Sequence, residues 1–180
     1  MKVLVFGATG NIGQQTIAVI KQLKHQLVGI SFYNNNQVAK RMHAKYKFSP
    51  INHKLSNVKS YEELITVSKP DMIVNALVGF SGLEITLLAI KHRIDLALAN
   101  KESLVVAGRF IMPMANKNKI NIYPIDSEHA SLQQILSQVN KPFNQLYITA
   151  SGGPFYKYSA KQLANVTYKQ TIHHPTWHMG

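Results

Sequence analysis

The chain has 180 residues, of which 46% are hydrophobic and 16% are charged, so it is long enough for one domain, or for one domain and the start of another. It contains no cysteine, which excludes a disulfide framework, thiolate chemistry and a cysteine zinc site. No apolar run approaches the roughly 20 residues of a membrane-spanning helix, and the apolar N-terminal run stops at Gly7, too early for a secretory signal. We therefore expect a soluble, cytoplasmic protein without a membrane partner.

The net charge is +12, and nine Lys and Arg residues precede Glu62, the first acidic residue. Such a charge is typical of nucleic-acid-binding proteins, whose basic residues neutralise phosphates. Here the basic residues are scattered and are not interleaved with aromatic residues. This distribution favours a solvated basic surface, and we expect no nucleic-acid partner. A basic N-terminal region also suits a polyphosphorylated ligand.

Short apolar runs alternate with segments of helical periodicity along the chain. In chain order we predict a strand at 2–6, a helix at 12–23, a strand at 27–32, helices at 37–46 and 61–65, a strand at 71–75, a helix at 83–91, a strand at 95–99, a helix at 107–117, a strand at 120–125, a helix at 130–139 and a strand at 146–150. Because parallel strands need helical crossovers, this order predicts an α/β fold with a doubly wound, Rossmann-type parallel sheet. The loop-rich segment after Ser151 has no closing element, so we expect a truncated chain.

Three glycines, Gly7, Gly10 and Gly13, lie between the first strand and the first helix. In this position glycines permit a tight turn and let backbone N–H groups approach a pyrophosphate at the helix N-terminus. The spacing favours a dinucleotide site, with a plain glycine-rich turn as the alternative. The second strand ends without the acidic residue that usually binds the ribose of NAD, and Lys40 and Arg41 follow. That ending favours NADP over NAD, although an Asn can also hold a ribose.

Asp126 and Glu128 follow a predicted strand and are spaced to project to the same side. Two convergent carboxylates suit Mg²⁺ or Mn²⁺, with water and substrate oxygens completing the coordination. The alternative is a helix N-cap, in which Asp126 or Ser127 satisfies free N–H groups ahead of Ala130. On spacing alone both interpretations stay open.

Three further polar segments follow predicted strands or lie near residue 180. Lys101 could bind a phosphate or polarise a carbonyl, and the neighbouring Glu102 could contact a cofactor. Residues 151–154 (SGGP) are either a phosphate-binding loop or a simple turn. The histidines around Trp177 could bind metal, lie on the surface, or belong to a lid that excludes water. They are His173, His174 and His178.

Taken together, the motifs resemble the 1-deoxy-D-xylulose 5-phosphate reductoisomerases of non-mevalonate isoprenoid biosynthesis. The resemblance covers nearly the whole chain and rests on GATGNIG at 7–13, NALVGFSGL at 75–83, LANKESLV at 98–105, PIDSEH at 124–129, TASGGPF at 149–155 and HPTWHMG at 174–180. It implies residues 1–125 as an NADPH-binding Rossmann-type domain and residues 126–180 as the start of an α/β catalytic domain. The implied reaction converts 1-deoxy-D-xylulose 5-phosphate to 2-C-methyl-D-erythritol 4-phosphate.

The resemblance also implies a role for individual residues. The residues implied to bind NADPH are Thr9, Gly10, Asn11, Ile12, Asn35, Asn100, Glu102 and Gly180. Those implied to hold the sugar phosphate are Lys101, Ser127, Ser151 and His174, with Trp177 in a mobile flap over the substrate. Asp126 and Glu128 are implied as ligands of Mg²⁺ or Mn²⁺, and the implied catalytic set is Lys101, Asp126, Glu128 and His174.

Two departures from the family pattern qualify these implications. Tyr33 and Asn34 stand where the family has a glycine and a basic residue, and only Asn35 fits the pattern there. The family also continues past the position of Gly180, with a third metal carboxylate, a Ser-Asn-Lys set for the substrate phosphate and a C-terminal helical domain. We therefore expect an inactive fragment for this chain alone, and the resemblance implies a homodimer for the full-length enzyme. The alternatives are a non-catalytic nucleotide-binding module and another NADP-dependent dehydrogenase.

Overall fold

The structure is a computed structural model that describes residues 1–32, 35–46, 52–54, 58–139, 143–149 and 152–173. The chain forms two compact units, Met1–Val139 and Asn140–Gly180. The first unit includes residues 126–139, which lie beyond the predicted domain boundary at 125. The assignment of functional domains to 1–125 and 126–180 stays a prediction.

A six-stranded sheet forms the centre of the first unit, with strand order β3-β2-β1-β4-β5-β6 and every pair parallel. The strands are β1 (Lys2–Phe6), β2 (Gln26–Phe32), β3 (Asn52–Lys54), β4 (Met72–Asn75), β5 (Asp95–Leu98) and β6 (Ile122–Pro124). The connecting helices are α1 (Asn11–Gln22), α2 (Asn36–Tyr46), α3 (Val58–Ser68), α4 (Ser81–Lys91) and α5 (Glu102–Asn118), and α6 (Ser127–Gln138) follows β6. This topology confirms the predicted doubly wound, Rossmann-type fold.

The sheet is covered on both faces because successive side chains of a strand point to opposite sides. In β1, Val3 and Val5 pack with Ile17 of α1 in one core, whereas Leu4 and Phe6 belong to the core on the other face. A third cluster of buried side chains joins α4 and α5. Burial on both faces explains why the central strands are continuous apolar runs.

The strand order reverses between β2 and β4, which flank β1. In open α/β sheets, ligands bind outside the carboxyl ends of the strands at this reversal. The carboxyl ends of β1, β4, β5 and β6 meet at one edge because these strands are parallel. We call this edge the ligand edge.

Several helices begin earlier than predicted. Helix α5 begins at Glu102, five residues before the predicted start, and α3 extends from Val58 to Ser68. Val105 and Val106 lie in the part of α5 before the predicted start and are exposed. Asn100 Oδ1 accepts a hydrogen bond from Ser103 N at 3.1 Å and so satisfies an N–H group of the first turn. Strand β3 was not predicted, since its three residues are all polar.

The strand predicted at 146–150 is wrong over the described residues, because 143–149 lie outside regular secondary structure. Tyr147 and Ile148 are 81% and 64% exposed, so this apolar run is not buried in a sheet within its unit. A strand needs a hydrogen-bonded partner, which an apolar run alone does not supply.

The second unit contains two four-residue helices, α7 (Ala160–Leu163) and α8 (Tyr168–Thr171). Each has a capping box, formed by Ser159 with Gln162 and by Thr167 with Gln170. This Ser/Thr-x-x-Gln signal is visible in the sequence and could have predicted both helix starts. None of the helices in the described part of the chain is long and apolar enough to cross a membrane.

Candidate functional site

The glycine-rich turn joins β1 to α1 at the ligand edge. Gly7 has φ +79°, a left-handed conformation, and a Cβ there would lie 2.5 Å from Ala76 O. A Cβ at Gly13 would lie 2.3 Å from Gly7 O. Glycine at these positions therefore allows the tight turn and brings the start of α1 close to the end of β1.

The N-terminus of α1 is open to an anion. Gly10 is the N-cap and makes no side-chain cap hydrogen bond, and no acidic residue lies in the first turn. Gly10, Asn11 and Ile12 are exposed and Thr9 is half-buried. Free N–H groups and the helix dipole together favour a phosphate at such a position. This geometry fits the pyrophosphate role predicted for these residues.

The turn is anchored to the end of β2 through Ser31. Gly7 N donates to Ser31 Oγ at 3.2 Å, and Ala8 N donates to Ser31 O at 2.9 Å. Further on, Asn35 Oδ1 accepts from Val38 N at 3.2 Å, which caps the start of α2. Tyr33 and Asn34 lie outside the described residues. The contact of Asn35 with the cofactor stays a prediction.

Asn100 and Glu102 hold the loop between β4 and α4. Asn100 is 1% exposed, and its Nδ2 donates to Leu77 O and to Gly79 O, both at 2.9 Å. Glu102 Oε1 accepts from Gly79 N at 3.3 Å. Both side chains are thus engaged within the protein, and their predicted contacts with NADPH stay predictions.

Lys101 and Asp126 form an ion pair at the ligand edge. Lys101 Nζ lies 2.8 Å from Asp126 Oδ2, and the side chains are 54% and 12% exposed. The hydrogen bond with Asp126 raises the pKa of Lys101. Partial burial would raise the pKa of Asp126, but hydrogen bonds with Lys101, Glu128 and the His129 amide outweigh it, so that pKa lies below its ordinary value. Lys101 is therefore an ammonium and Asp126 a carboxylate at neutral pH.

Asp126 also serves as the N-cap of α6. Its Oδ1 accepts from His129 N at 3.4 Å, so the cap alternative drawn from the sequence is confirmed. The cap does not exclude the metal role, because it uses only Oδ1, and Oδ2 keeps a second lone pair beside its contact with Lys101. Ser127 and Glu128 are exposed in the first turn of α6, where the side chain of Glu128 reaches Asp126.

The donor chemistry at this position fits a hard divalent cation. Mg²⁺ is usually held by one or two carboxylates, with water and substrate phosphate completing its octahedron. Asp126 and Glu128 supply two carboxylates. One of them, Asp126, already contacts a cation, the ammonium of Lys101. No group of three or more His, Cys, Asp or Glu side chains suited to a metal occurs among the residues that the structure describes.

The remaining predicted residues belong to the second unit. Ser151, His174, Trp177, His178 and Gly180 lie outside the described residues. Their roles stay predictions. Gly152 and Gly153 have φ values of +79° and +66°, so both lie in the left-handed region that favours glycine. His173 Nδ1 lies 2.9 Å from Lys169 O.

Sequence reasoning missed four buried polar residues near the ligand edge, namely Ser31, Asn75, Thr86 and Ser103. Asn75 ends β4 within an apolar run, and this polar residue at a strand end was the available signal. The burial of Thr86 and Ser103 depends on the packing of α4 against α5. No local pattern in the sequence reports that packing.

The chain matches known proteins over the segments that carry these motifs. Residues 3–64 and 51–108 match the family model "1-deoxy-D-xylulose 5-phosphate reductoisomerase", and residues 122–180 match that of the C-terminal domain of the same enzyme. The 1-deoxy-D-xylulose 5-phosphate reductoisomerase of Malacoplasma penetrans is 50% identical over 99% of this chain and 48% of its own length. That of Mycoplasmoides gallisepticum is 46% identical over 100% of this chain and 51% of its own length. The chain thus spans about half the length of the curated relatives it matches.

Solved structures agree with the sequence matches. A DOX-P reductoisomerase in complex with NADPH, fosmidomycin and magnesium superposes with a TM-score of 0.81 at 29% identity, over 100% of this chain and 52% of that chain. The Zymomonas mobilis enzyme in complex with NADPH gives a TM-score of 0.74 at 28% identity, over 95% of this chain and 51% of that chain. These matches confirm the resemblance seen in the motifs: the chain belongs to the 1-deoxy-D-xylulose 5-phosphate reductoisomerase family.

Proposed function

We propose that this chain forms the NADPH-binding and metal-binding part of a 1-deoxy-D-xylulose 5-phosphate reductoisomerase. The enzyme would convert 1-deoxy-D-xylulose 5-phosphate to 2-C-methyl-D-erythritol 4-phosphate in isoprenoid biosynthesis. One observation carries the proposal: the open N-terminus of α1 and the Lys101–Asp126 pair share one edge of the sheet. A reductoisomerase needs a dinucleotide and a metal-bound sugar phosphate side by side.

The dinucleotide would bind with its pyrophosphate at the free N–H groups of residues 11 and 12, where the helix dipole favours negative charge. NADPH is proposed over NADH because no acidic residue precedes Glu62 in the chain. An acid at the end of β2 would repel the 2′-phosphate that distinguishes NADPH. The NADPH complexes of two structurally similar family members support this choice.

Asp126, whose pKa is lowered, and Glu128 would hold Mg²⁺ or Mn²⁺. When bound, the ion supplies Lewis acidity toward the carbonyl and hydroxyl oxygens of the substrate. Because its pKa is raised, Lys101 stays protonated. It would therefore act as a hydrogen-bond donor and positive charge toward a substrate oxygen, and not as a base. Ser127, Ser151, His174 and Trp177 are proposed to complete the substrate site.

The whole protein is proposed to act on a small sugar phosphate and to be located in the cytoplasm. We propose a homodimer on the strength of the family resemblance alone. Nucleic acid and membrane are not expected as partners, since the basic residues are scattered over the chain.

The proposal is tested by measuring both binding functions on the purified chain. NADPH binding is followed by nicotinamide fluorescence, and Mn²⁺ binding by the loss of the free-ion signal in electron paramagnetic resonance. We expect both ligands to bind, Asp126→Asn to abolish Mn²⁺ binding, and the exposed carboxylate variant Glu63→Gln to behave as the wild type.

Three outcomes would count against the proposal. Absence of NADPH binding would remove the dinucleotide function. Equal Mn²⁺ binding by the wild type and Asp126→Asn would remove the metal role of Asp126. Binding of NADPH without any Mn²⁺ binding would favour the alternative of a nucleotide-binding module or another dehydrogenase.

A further inference from the structure

Five polar side chains are fully buried among the described residues, and four of them form one connected cluster. The cluster consists of Asn75, Thr86, Asn100 and Ser103, each at most 1% exposed. They come from the end of β4, the middle of α4, and the start of α5 with the loop before it. We call this cluster the asparagine relay.

Hydrogen bonds join the four side chains of the asparagine relay. Asn75 Nδ2 donates to Thr86 Oγ1 at 3.2 Å and to Gly82 O at 2.8 Å. Thr86 Oγ1 lies 3.3 Å from Ser103 Oγ and can donate to it, and Ser103 Oγ donates to Asn100 Oδ1. Each hydroxyl has one proton: that of Thr86 has two acceptors, Ser103 Oγ and Gly82 O at 3.2 Å, and that of Ser103 is used on Asn100 Oδ1. Because Ser103 N also donates to Asn100 Oδ1, at 3.1 Å, the oxygen of the Asn100 amide faces Ser103.

That orientation turns the nitrogen of the Asn100 amide toward the loop between β4 and α4. Both protons of Nδ2 are used on Leu77 O and Gly79 O. A flipped amide would present an oxygen to two carbonyl oxygens and lose both hydrogen bonds. The Asn100 amide therefore holds the loop at residues 77–80.

This loop connects the two halves of the proposed site. A Cβ on Gly7 would lie 2.5 Å from Ala76 O, so the residue that precedes the loop packs against the glycine turn. Lys101 follows Asn100 directly and reaches Asp126. Packing also leaves little freedom to the amide, because a Cβ on Gly82 would lie 2.1 Å from Asn100 Cγ.

We infer that Asn75, Thr86 and Ser103 are positioning residues, which fix the Asn100 amide and through it the dinucleotide-facing loop beside Lys101. The inference rests on the proposed function and adds residues that do not touch the ligands. None of the three side chains is exposed by more than 1%, so their effect on binding would be transmitted through Asn100.

The test replaces the hydroxyl of Thr86 while keeping the shape of the side chain. Thr86→Val removes the relay's central donor, Thr86→Ser restores it, and Thr66→Val is the matched control. Thr66 lies in α3 and donates to Glu62 O, four residues earlier, at 2.8 Å, as Thr86 can donate to Gly82 O at 3.2 Å. It is exposed and outside the relay. Ser103→Ala serves as a second relay variant if Thr86→Val does not fold.

We expect Thr86→Val to weaken NADPH binding about tenfold, as for one or two lost hydrogen bonds, and Thr86→Ser to bind within about twofold of the wild type. Hydrogen–deuterium exchange should rise at Gly79 and its neighbours in Thr86→Val alone. Thr66→Val should leave both measurements unchanged.

Wild-type binding and exchange in both Thr86→Val and Ser103→Ala would overturn the inference, as would failure of Thr86→Ser to restore binding. Absence of NADPH binding by the wild type would instead contradict the proposed function. Exchange at Gly79 would then decide the inference alone, and unchanged exchange in Thr86→Val would overturn it.

Discussion

Replacing Gly13 by alanine tests the close approach of α1 to β1. A Cβ there would lie 2.3 Å from Gly7 O and 2.6 Å from Ala8 Cα, and both atoms belong to the backbone. No flexible side chain can yield, so the helix must move away from the strand. The glycine turn and the N–H groups at the start of α1 would move with it.

The expected loss of stability follows from two opposing effects. Overpacking a well-packed region costs about 1–3 kcal/mol, and a backbone clash lies at the upper end of that range. Alanine in place of glycine within a helix stabilises the folded state by about 0.5–1 kcal/mol. We therefore expect the free energy of unfolding of Gly13→Ala to fall by about 2 kcal/mol.

Gly108→Ala is the matched control, because a Cβ there meets Leu104 Cβ at an ordinary 3.7 Å. This variant should gain about 0.5–1 kcal/mol, since only the helical preference changes. Urea unfolding followed by far-ultraviolet circular dichroism measures both variants. A Gly13→Ala midpoint at or above that of the wild type would refute the reasoning, since α1 would then tolerate the shift without cost.

Four further predictions concern ligands and pH. NADPH should bind the chain more tightly than NADH in a fluorescence titration, and tighter NADH binding would contradict the assignment. Asp126→Asn should lose Mn²⁺ binding but keep NADPH affinity, and a parallel loss of both would indicate a folding defect instead. The chain alone should not oxidise NADPH with 1-deoxy-D-xylulose 5-phosphate and Mn²⁺, because its described residues hold only two carboxylates for the metal; steady substrate-dependent oxidation would be the contrary result. The pKa of Glu62 is lowered chiefly by its hydrogen bond with Lys91, so the pair stabilises the fold at neutral pH. This contribution is lost as pH falls from 4.5, the ordinary pKa of a Glu side chain, through the lower pKa of Glu62 in the folded state. The difference in thermal midpoint between wild type and Glu62→Gln should therefore shrink over that pH range. A constant difference would contradict it.

The central part of the fold was predictable because its signals are local. Strands β1, β4 and β5 are buried on both faces, so their sequences are apolar runs that need no further context. Strand β3 was not predictable, because Asn52, His53 and Lys54 carry no strand pattern. Their conformation is defined by pairing with β2. The run at 146–149 shows the converse, since this described part of the apolar run has no strand partner among the described residues and does not form a strand.

Part of the site could likewise be predicted from short sequence motifs, and part depends on contacts between residues that are distant in the sequence. The glycine turn and the Asp126–Glu128 spacing are visible in a few consecutive residues, and their place at strand ends follows from the fold. The ion pair of Lys101 with Asp126 joins residues 25 positions apart. The hydrogen bonds of Asn100 with Leu77 and Gly79 likewise join residues more than 20 positions apart. Such contacts are decided by packing, which the sequence pattern does not encode locally.

The bare N-cap of α1 makes the stability of the protein depend on its ligand concentration. A Ser, Asp or Asn at the position of Gly10 would cap the helix from within, but it would occupy the N–H groups that a phosphate needs. The glycine leaves the helix end to be completed by whatever anion binds there. A ligand that binds only the folded state at a hundred times its Kd adds about 2.7 kcal/mol. Starvation for the dinucleotide would then make the first unit easier to unfold and to degrade, so the abundance of the protein would follow the abundance of its cofactor.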